Sequence, residues 1–198
     1  MKRLTVAATV AALMLTGCAS RSDGTTEITP SGAVASADAT ALLAEYGLAG
    51  KDTVQVIDHL DRLTLEQRPA ADLKASVRPH ELVLSRGGRQ ASLAVPGDRF
   101  YLSVAPYVNK THDCFHHSLT TCKGELAAED VGVRIVDETH DEVLLDEVRT
   151  TFANGFVGFW LPRDINGILQ ITYGSKSGRT KITTAKESPT CLTTLRLT

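Results

Sequence analysis

The sequence predicts an α+β protein, with a short helical N-terminal region followed by an antiparallel β-sandwich-like domain. Three observations lead there. Apolar residues between positions 39 and 77 recur at helical spacing, with helix-ending residues beside them. From about Leu82 the period falls to two, and turn residues recur every few positions. The chain has 198 residues, 42% apolar and 22% charged, enough for one domain or two small ones.

The first 17 residues read as an address. Lys2 and Arg3 precede an apolar run, Leu4 to Leu15, of 12 residues, too short to span a bilayer. It leads into Leu15-Thr16-Gly17-Cys18, which resembles the lipobox of bacterial lipoproteins. The expectation is cleavage before Cys18, lipid on Cys18, and a flexible tether over residues 18–39 rich in Ser, Thr, Gly, Ala and Asp. The protein would then be exported and lipid-anchored at the bacterial cell envelope, on the periplasmic or outer cell-membrane face.

A helical region is expected over residues 40–80. Ala39 to Tyr46 ends at Gly47, Asp52 can cap a helix carrying Val54, Ile57 and Leu60, and Thr64 with Gln67 has capping-box spacing before Leu65 to Val77. Pro69 limits that last piece. These helices have too few apolar residues for a core of their own. They are expected to pack on each other, on the next domain or across a homodimer interface.

The β-rich domain is assigned to residues 81–198. Glu81 to Leu84 and Ala91 to Val95 flank Arg86-Gly87-Gly88-Arg89, a hairpin with a glycine turn. Strands follow at Phe100 to Tyr107, Val131 to Ile135, Val143 to Thr150, Phe156 to Leu161, Ile168 to Tyr173, Lys181 to Thr184 and Leu192 to Leu197.

Charge and motifs exclude several functions. With 21 Lys and Arg against 23 Asp and Glu, no basic field exists to attract nucleic acid. There is no G-x-S-x-G elbow, phosphate-binding glycine loop, C-x-x-C or H-E-x-x-H. The run Asp137 to Glu142 reads as a solvated turn, and His59 and His80 as surface residues.

One segment carries chemistry. Between positions 112 and 122 lie His112, Cys114, His116, His117 and Cys122, which hold three of the six His and two of the four Cys. Thiolate and imidazole together suit Cu(I), and also Zn(II), whereas hard cations need oxygens. An extended chain would align His112, Cys114 and His116, and a turn after Cys114 would bring in His117 instead. Cys191, where the last strand should begin, is the third cysteine once Cys18 carries lipid. The trio could hold a soft metal, cycle between thiols and disulfide, or include a disulfide between Cys114 and Cys122 that closes the loop. Eight of the ten aromatics lie between Phe100 and Trp160, where they could wall the thiols from water.

These residues have a familiar setting. Phe100-Tyr101, Pro106-Tyr107-Val108-Asn109, Thr111-His112-Asp113-Cys114 and His117-Ser118-Leu119-Thr120-Thr121-Cys122 resemble the CueP family of bacterial copper-resistance proteins. Asn154-Gly155-Phe156, Gly158 to Arg163 and Ser188-Pro189-Thr190-Cys191 continue the resemblance. It implies an envelope copper-binding protein with a helical dimerisation region and a β-rich domain bearing the ligands. It also implies storage, delivery to an exported copper enzyme, or thiol-driven reduction of Cu(II). His116 stands where relatives carry an aromatic residue, and the lipobox replaces the plainly cleaved signal of soluble members.

The expected ligands for Cu(I) are therefore Cys114, Cys122, Cys191 and His117, with His112 and His116 as further candidates, and no catalytic residue is assigned. The alternatives are a thiol redox protein acting through Cys114 and Cys122 on Cu(II) or a disulfide partner, and a structural or adhesion lipoprotein with a structural disulfide.

Overall fold

A computed structural model describes residues 37–69 and 72–198. The expected signal peptide, Cys18 and most of the expected tether lie outside the described residues. Helix α1 (Ala37–Glu45) stops where Gly47 takes φ +69° and the Leu48 N–H bonds back to the Leu43 carbonyl at 2.9 Å. Helix α2 (Thr53–Arg62) starts at Asp52 through a capping box. Asp52 accepts from the Gln55 N–H at 2.8 Å, and the Gln55 side chain accepts from the Asp52 N–H at 3.1 Å. Its buried face is Thr53, Val56, Ile57, Leu60 and Asp61, so Val54 sits beside that face rather than on it.

The helix expected over Leu65 to Val77 does not form. Thr64 and Gln67 exchange the two predicted bonds, each 3.3 Å, but close only a turn. Pro69 has no N–H to donate and its ring disfavours helix before it, so no helix carries through it into residues 74–77. That segment becomes strand β1 (Lys74–Val77), which pairs with β2 (Glu81–Arg86). Strand β3 (Arg89–Ala94) completes an antiparallel sheet, its hairpin turned by Gly87 and Gly88, both at positive φ.

The two helices lie on this sheet. Leu42, Leu43, Val56, Ile57 and Leu60 share one core with Val77, Leu82, Leu84 and Leu93. Both foreseen partners within the chain, the other helix and the neighbouring sheet, share the core that covers their apolar faces.

Strands β4 (Arg99–Val104), β7 (Val157–Pro162) and β10 (Cys191–Leu192) form a second sheet in the order β10-β4-β7. Strands β5 (Asp130–Asp137), β6 (Glu142–Thr150), β8 (Asn166–Tyr173) and β9 (Lys176–Thr183) form a third, ordered β6-β5-β8-β9. The second and third sheets enclose one core in the manner of a sandwich. Phe100, Leu102 and Val104 meet Val157 and Phe159 from their own sheet, and Val133, Ile135, Leu169 and Ile171 from the other.

Strand β4 is buried on both faces. Its alternate residue Tyr101 turns to the helical core, so β4 links the helical layer to the sandwich. The strand expected over Leu192 to Leu197 shortens to two residues, paired parallel with β4 through Cys191 and Ser103. Beyond it, the chain follows 105–107 by single bonds, such as Tyr107 N–H to Leu195 O at 3.1 Å. No helix among the described residues is long and apolar enough to cross a membrane.

Candidate metal centre

Three segments meet above strand β4. The loop after β4 brings Cys114 and His117, a turn over 118–122 brings Cys122, and β10 brings Cys191. Their ligand atoms all lie within 4.8 Å of one another. His117 and Cys191 are buried, whereas Cys114 and Cys122 are half-buried.

Backbone pairing fixes this convergence. The His117 carbonyl accepts from Val77 N–H at 2.8 Å, and the Leu119 N–H donates to Ala75 O at 2.9 Å, so residues 117–119 lie along β1. Thr190 ties His117 to the end of β1. Its hydroxyl accepts from His117 N–H at 3.0 Å and donates to Val77 O at 2.6 Å.

The disulfide expected between Cys114 and Cys122 is corrected by the structure. Cys114 is bonded to Cys191, with Cα atoms 5.6 Å apart, and Cys122 is the free cysteine among the described residues. The reason lies in the loop. The Phe115 carbonyl accepts from both Thr190 N–H (3.0 Å) and Cys191 N–H (3.1 Å), which holds Cys114 against β10. The 118–122 turn meanwhile closes on itself, and its Ser118 N–H donates to Cys122 Sγ at 3.4 Å. Cys122 Sγ is left 3.6 Å from Cys114 Sγ.

Asp61 was not read from the sequence as part of any site, yet it is wholly buried at the base of this one. Its carboxylate accepts from Tyr101 O–H (2.6 Å), Ser103 O–H (3.2 Å) and Asn154 N–H (2.8 Å). It also meets His117 Nε2 at 2.8 Å. With Nε2–H donated to Asp61, His117 turns Nδ1 toward the sulfurs, 3.8 Å from Cys191 Sγ. This is how a carboxylate fixes the tautomer and aim of a ligating imidazole. Asn154 also donates to the Asp61 carbonyl at 2.8 Å, satisfying a carbonyl in the last turn of α2. One signal was available: an acidic residue on the apolar face of an amphipathic helix is buried and must be paired.

Electrostatics follow the same partners. Burial alone would push the His117 imidazole down, but the Asp61 carboxylate overrides it and raises it to about 9. Burial pushes the Cys122 thiol up. The His117 bond and charge, the Ser118 N–H and the charge of Arg68 reverse this and hold it below the usual thiol range. Each shift favours the charged form, so the His117 imidazolium and the Cys122 thiolate stabilise one another in the metal-free site.

The wall is aromatic. Phe156 is fully buried, packs with Ala105 and all three cysteines, and lies 4.5 Å ring to ring from His117. His112 and His116 stay exposed outside the cluster. The His112 ring lies 6.2 Å from Phe156, and His116 packs edge-on to exposed Phe115.

Comparison with known proteins bears on this arrangement. The family model described as "Periplasmic copper-binding protein CueP" matches residues 55–196. A solved structure, "Crystal Structure of S.CueP", is 41% identical, with a TM-score of 0.75. The alignment covers 84% of this chain and all of that one. A search of curated proteins finds no match. The matched span takes in Asp61, the three cysteines and His117, and on this evidence the chain belongs to the CueP family of periplasmic copper-binding proteins.

Proposed function

We propose that the protein captures Cu(I) in the envelope through Cys114, Cys122, Cys191 and His117, and so contributes to copper resistance. The observation that carries this is the convergence of three sulfurs and one aimed imidazole nitrogen within 4.8 Å. Three thiolates and one nitrogen suit a soft d¹⁰ ion. Both methionines, Met1 and Met14, fall in the leader, so these cysteines are the soft donors available after lipidation. In this reading capture requires the Cys114–Cys191 bridge to be reduced. Titrating the reduced protein with Cu(I) and Zn(II) against competing chelators tests it. Equal weak binding by wild type and each single Cys→Ser variant would end the reading.

One observation favours a second reading, reduction of Cu(II). Cys122 Sγ lies close to Cys114 Sγ of a bridge already formed. Closing that bridge from two thiols releases two electrons and two protons, enough to convert two Cu(II) to Cu(I). Stoichiometric Cu(I) production by the reduced protein, lost in Cys114→Ser, would support it.

Anchoring through lipid on Cys18 and supply of copper to an exported enzyme complete the proposal. Labelling with a fatty acid, compared in Cys18→Ala, tests the anchor. A homodimer, implied by the family resemblance, would have to use surfaces other than the covered apolar faces of α1 and α2. Light scattering decides it.

A further inference from the structure

The turn that follows α2 carries a buried charge with nothing to bond to. Thr64 and Gln67 exchange two side-chain bonds, each 3.3 Å. The Gln67 and Arg68 N–H groups both donate to the Thr64 carbonyl, at 3.0 and 3.1 Å. Such a pair commonly opens a helix, yet here it closes a single turn, and that turn delivers Arg68. The Arg68 side chain is half-buried. Its three guanidinium nitrogens, Nε, Nη1 and Nη2, are all shut off from water and have no hydrogen-bond partner among the described residues. Arg163 also buries an unpartnered Nε, but its Nη2 donates to the Pro79 carbonyl. A guanidinium with every donor buried and unmet weakens a fold, so its presence calls for a partner that arrives later.

The surroundings identify that partner. The charge of Arg68 acts on Asp61 and on Cys122, the base and one sulfur of the metal centre. Burial pulls the guanidinium down, and the negative charges of these two groups oppose it. Loading the centre makes it more negative, because a metal displaces protons from the sulfurs to solvent. Cu(I) held by three thiolates carries two net negative charges, whereas Zn(II) held by the same three carries one. A fixed cation beside Cys122 therefore gains more from Cu(I) than from Zn(II). Donor type alone does not supply this preference, since Cys and His ligate both ions.

We propose that Arg68 is a specificity-determining residue of the metal centre, its buried and unpartnered guanidinium being the counter-charge that favours Cu(I) over Zn(II). The inference rests on the copper reading above. In the empty protein the unmet donors of Arg68 oppose folding, and on loading the negative metal–thiolate group offsets them. The turn built by Thr64 and Gln67 thus serves the metal centre without supplying a ligand.

The test titrates the reduced full-length chain with Cu(I) and with Zn(II) against competing chelators, and melts the same proteins without metal. Arg68→Met keeps an unbranched side chain and removes the charge. It is expected to weaken Cu(I) binding about tenfold and Zn(II) binding about threefold. The melting temperature of its metal-free form should stay level or rise. Arg68→Lys restores a cation and should recover most of the Cu(I) preference. Arg179→Met, the same loss of charge on exposed β9, should leave both affinities unchanged. Arg68→Gln reads the same ratio of losses if Arg68→Met folds poorly. Equal losses for the two metals, or wild-type affinity for both, would overturn the role of Arg68 alone. Failure of the wild type to retain Cu(I) would overturn the copper reading and this inference with it.

Discussion

Replacing Asp61 with Asn tests the base of the site in one step. The carboxylate is completely buried and meets four partners: Tyr101, Ser103, Asn154 and His117. Asn keeps the shape but presents one acceptor oxygen and one N–H₂. Its N–H₂ must then face donors on one side, so at least one buried donor loses its acceptor. Charge-assisted bonds contribute ~1.5–3 kcal/mol each, and an unsatisfied buried donor costs ~1–3 kcal/mol. With His117 free to shed its proton, the net loss expected is about 3 kcal/mol, at the low end for a broken buried pair.

The same change should remove a pH dependence. In the folded, metal-free protein burial would lower the His117 imidazole, but the Asp61 carboxylate outweighs it and raises it from its ordinary 6.5 to about 9. A raised folded value gives stability that is complete below about 6.5 and is lost as pH rises through about 9. Asp61→Asn should flatten that slope. For copper, loss of the group that orients a ligating imidazole weakens affinity by about 10- to 100-fold. Urea unfolding of the reduced apoprotein between pH 6 and 10, with Cu(I) chelator competition at pH 7, measures both effects. Wild-type affinity together with a wild-type pH slope would refute the role assigned to Asp61.

Three further outcomes are expected. Peptide mapping of the oxidised protein should link Cys114 to Cys191 and find Cys122 alkylated; a Cys114–Cys122 peptide would contradict the pairing. Cu(I) affinity should fall as pH drops from 8 to 5, since protons compete for the three sulfurs and for His117, and a flat chelator titration would count against thiolate ligation. Glu125 accepts from the N–H groups of Val108, Asn109 and Lys110, which lower its carboxyl to about 2, so its support of that loop should hold above about 4.5 and fade toward pH 2. Glu125→Gln should raise hydrogen exchange at those three amides without altering the acid stability of the core, and unchanged exchange would show that the loop is held elsewhere.

Much of this architecture was legible because it is local. The Gly87-Gly88 hairpin, the Asp52 cap and the alternation of Val131, Val133 and Ile135 each depend on neighbours a few residues away. The donor types were legible for a similar reason, since His117 and Cys122 stand together in the chain. What failed was non-local. Cys114 was assigned to Cys122 by closeness in sequence, yet the Phe115 carbonyl binds it to a strand 77 residues on. The segment before Val77 was read as helix because a capping pair opens it, but Pro69 and sheet pairing with β2 decide its form. Asp61 went unread because its partners Tyr101, Ser103, Asn154 and His117 all stand 40 or more positions away in the chain.

The parallel pairing of β10 with β4 has a consequence for how the protein matures. The parts of the site come from positions 61 to 191 and cannot assemble until Cys191 docks beside Ser103, a contact spanning 88 residues. Such distant closures come late in folding, because the loop entropy must be overcome before the contact contributes. Copper should thus ignore the newly exported chain and bind only a finished one. A ligand confined to the native state at 1,000 times its Kd adds ~4 kcal/mol of stability. Envelope proteases would then remove empty molecules first, and the standing amount of the protein would follow the metal supply without any change in its synthesis.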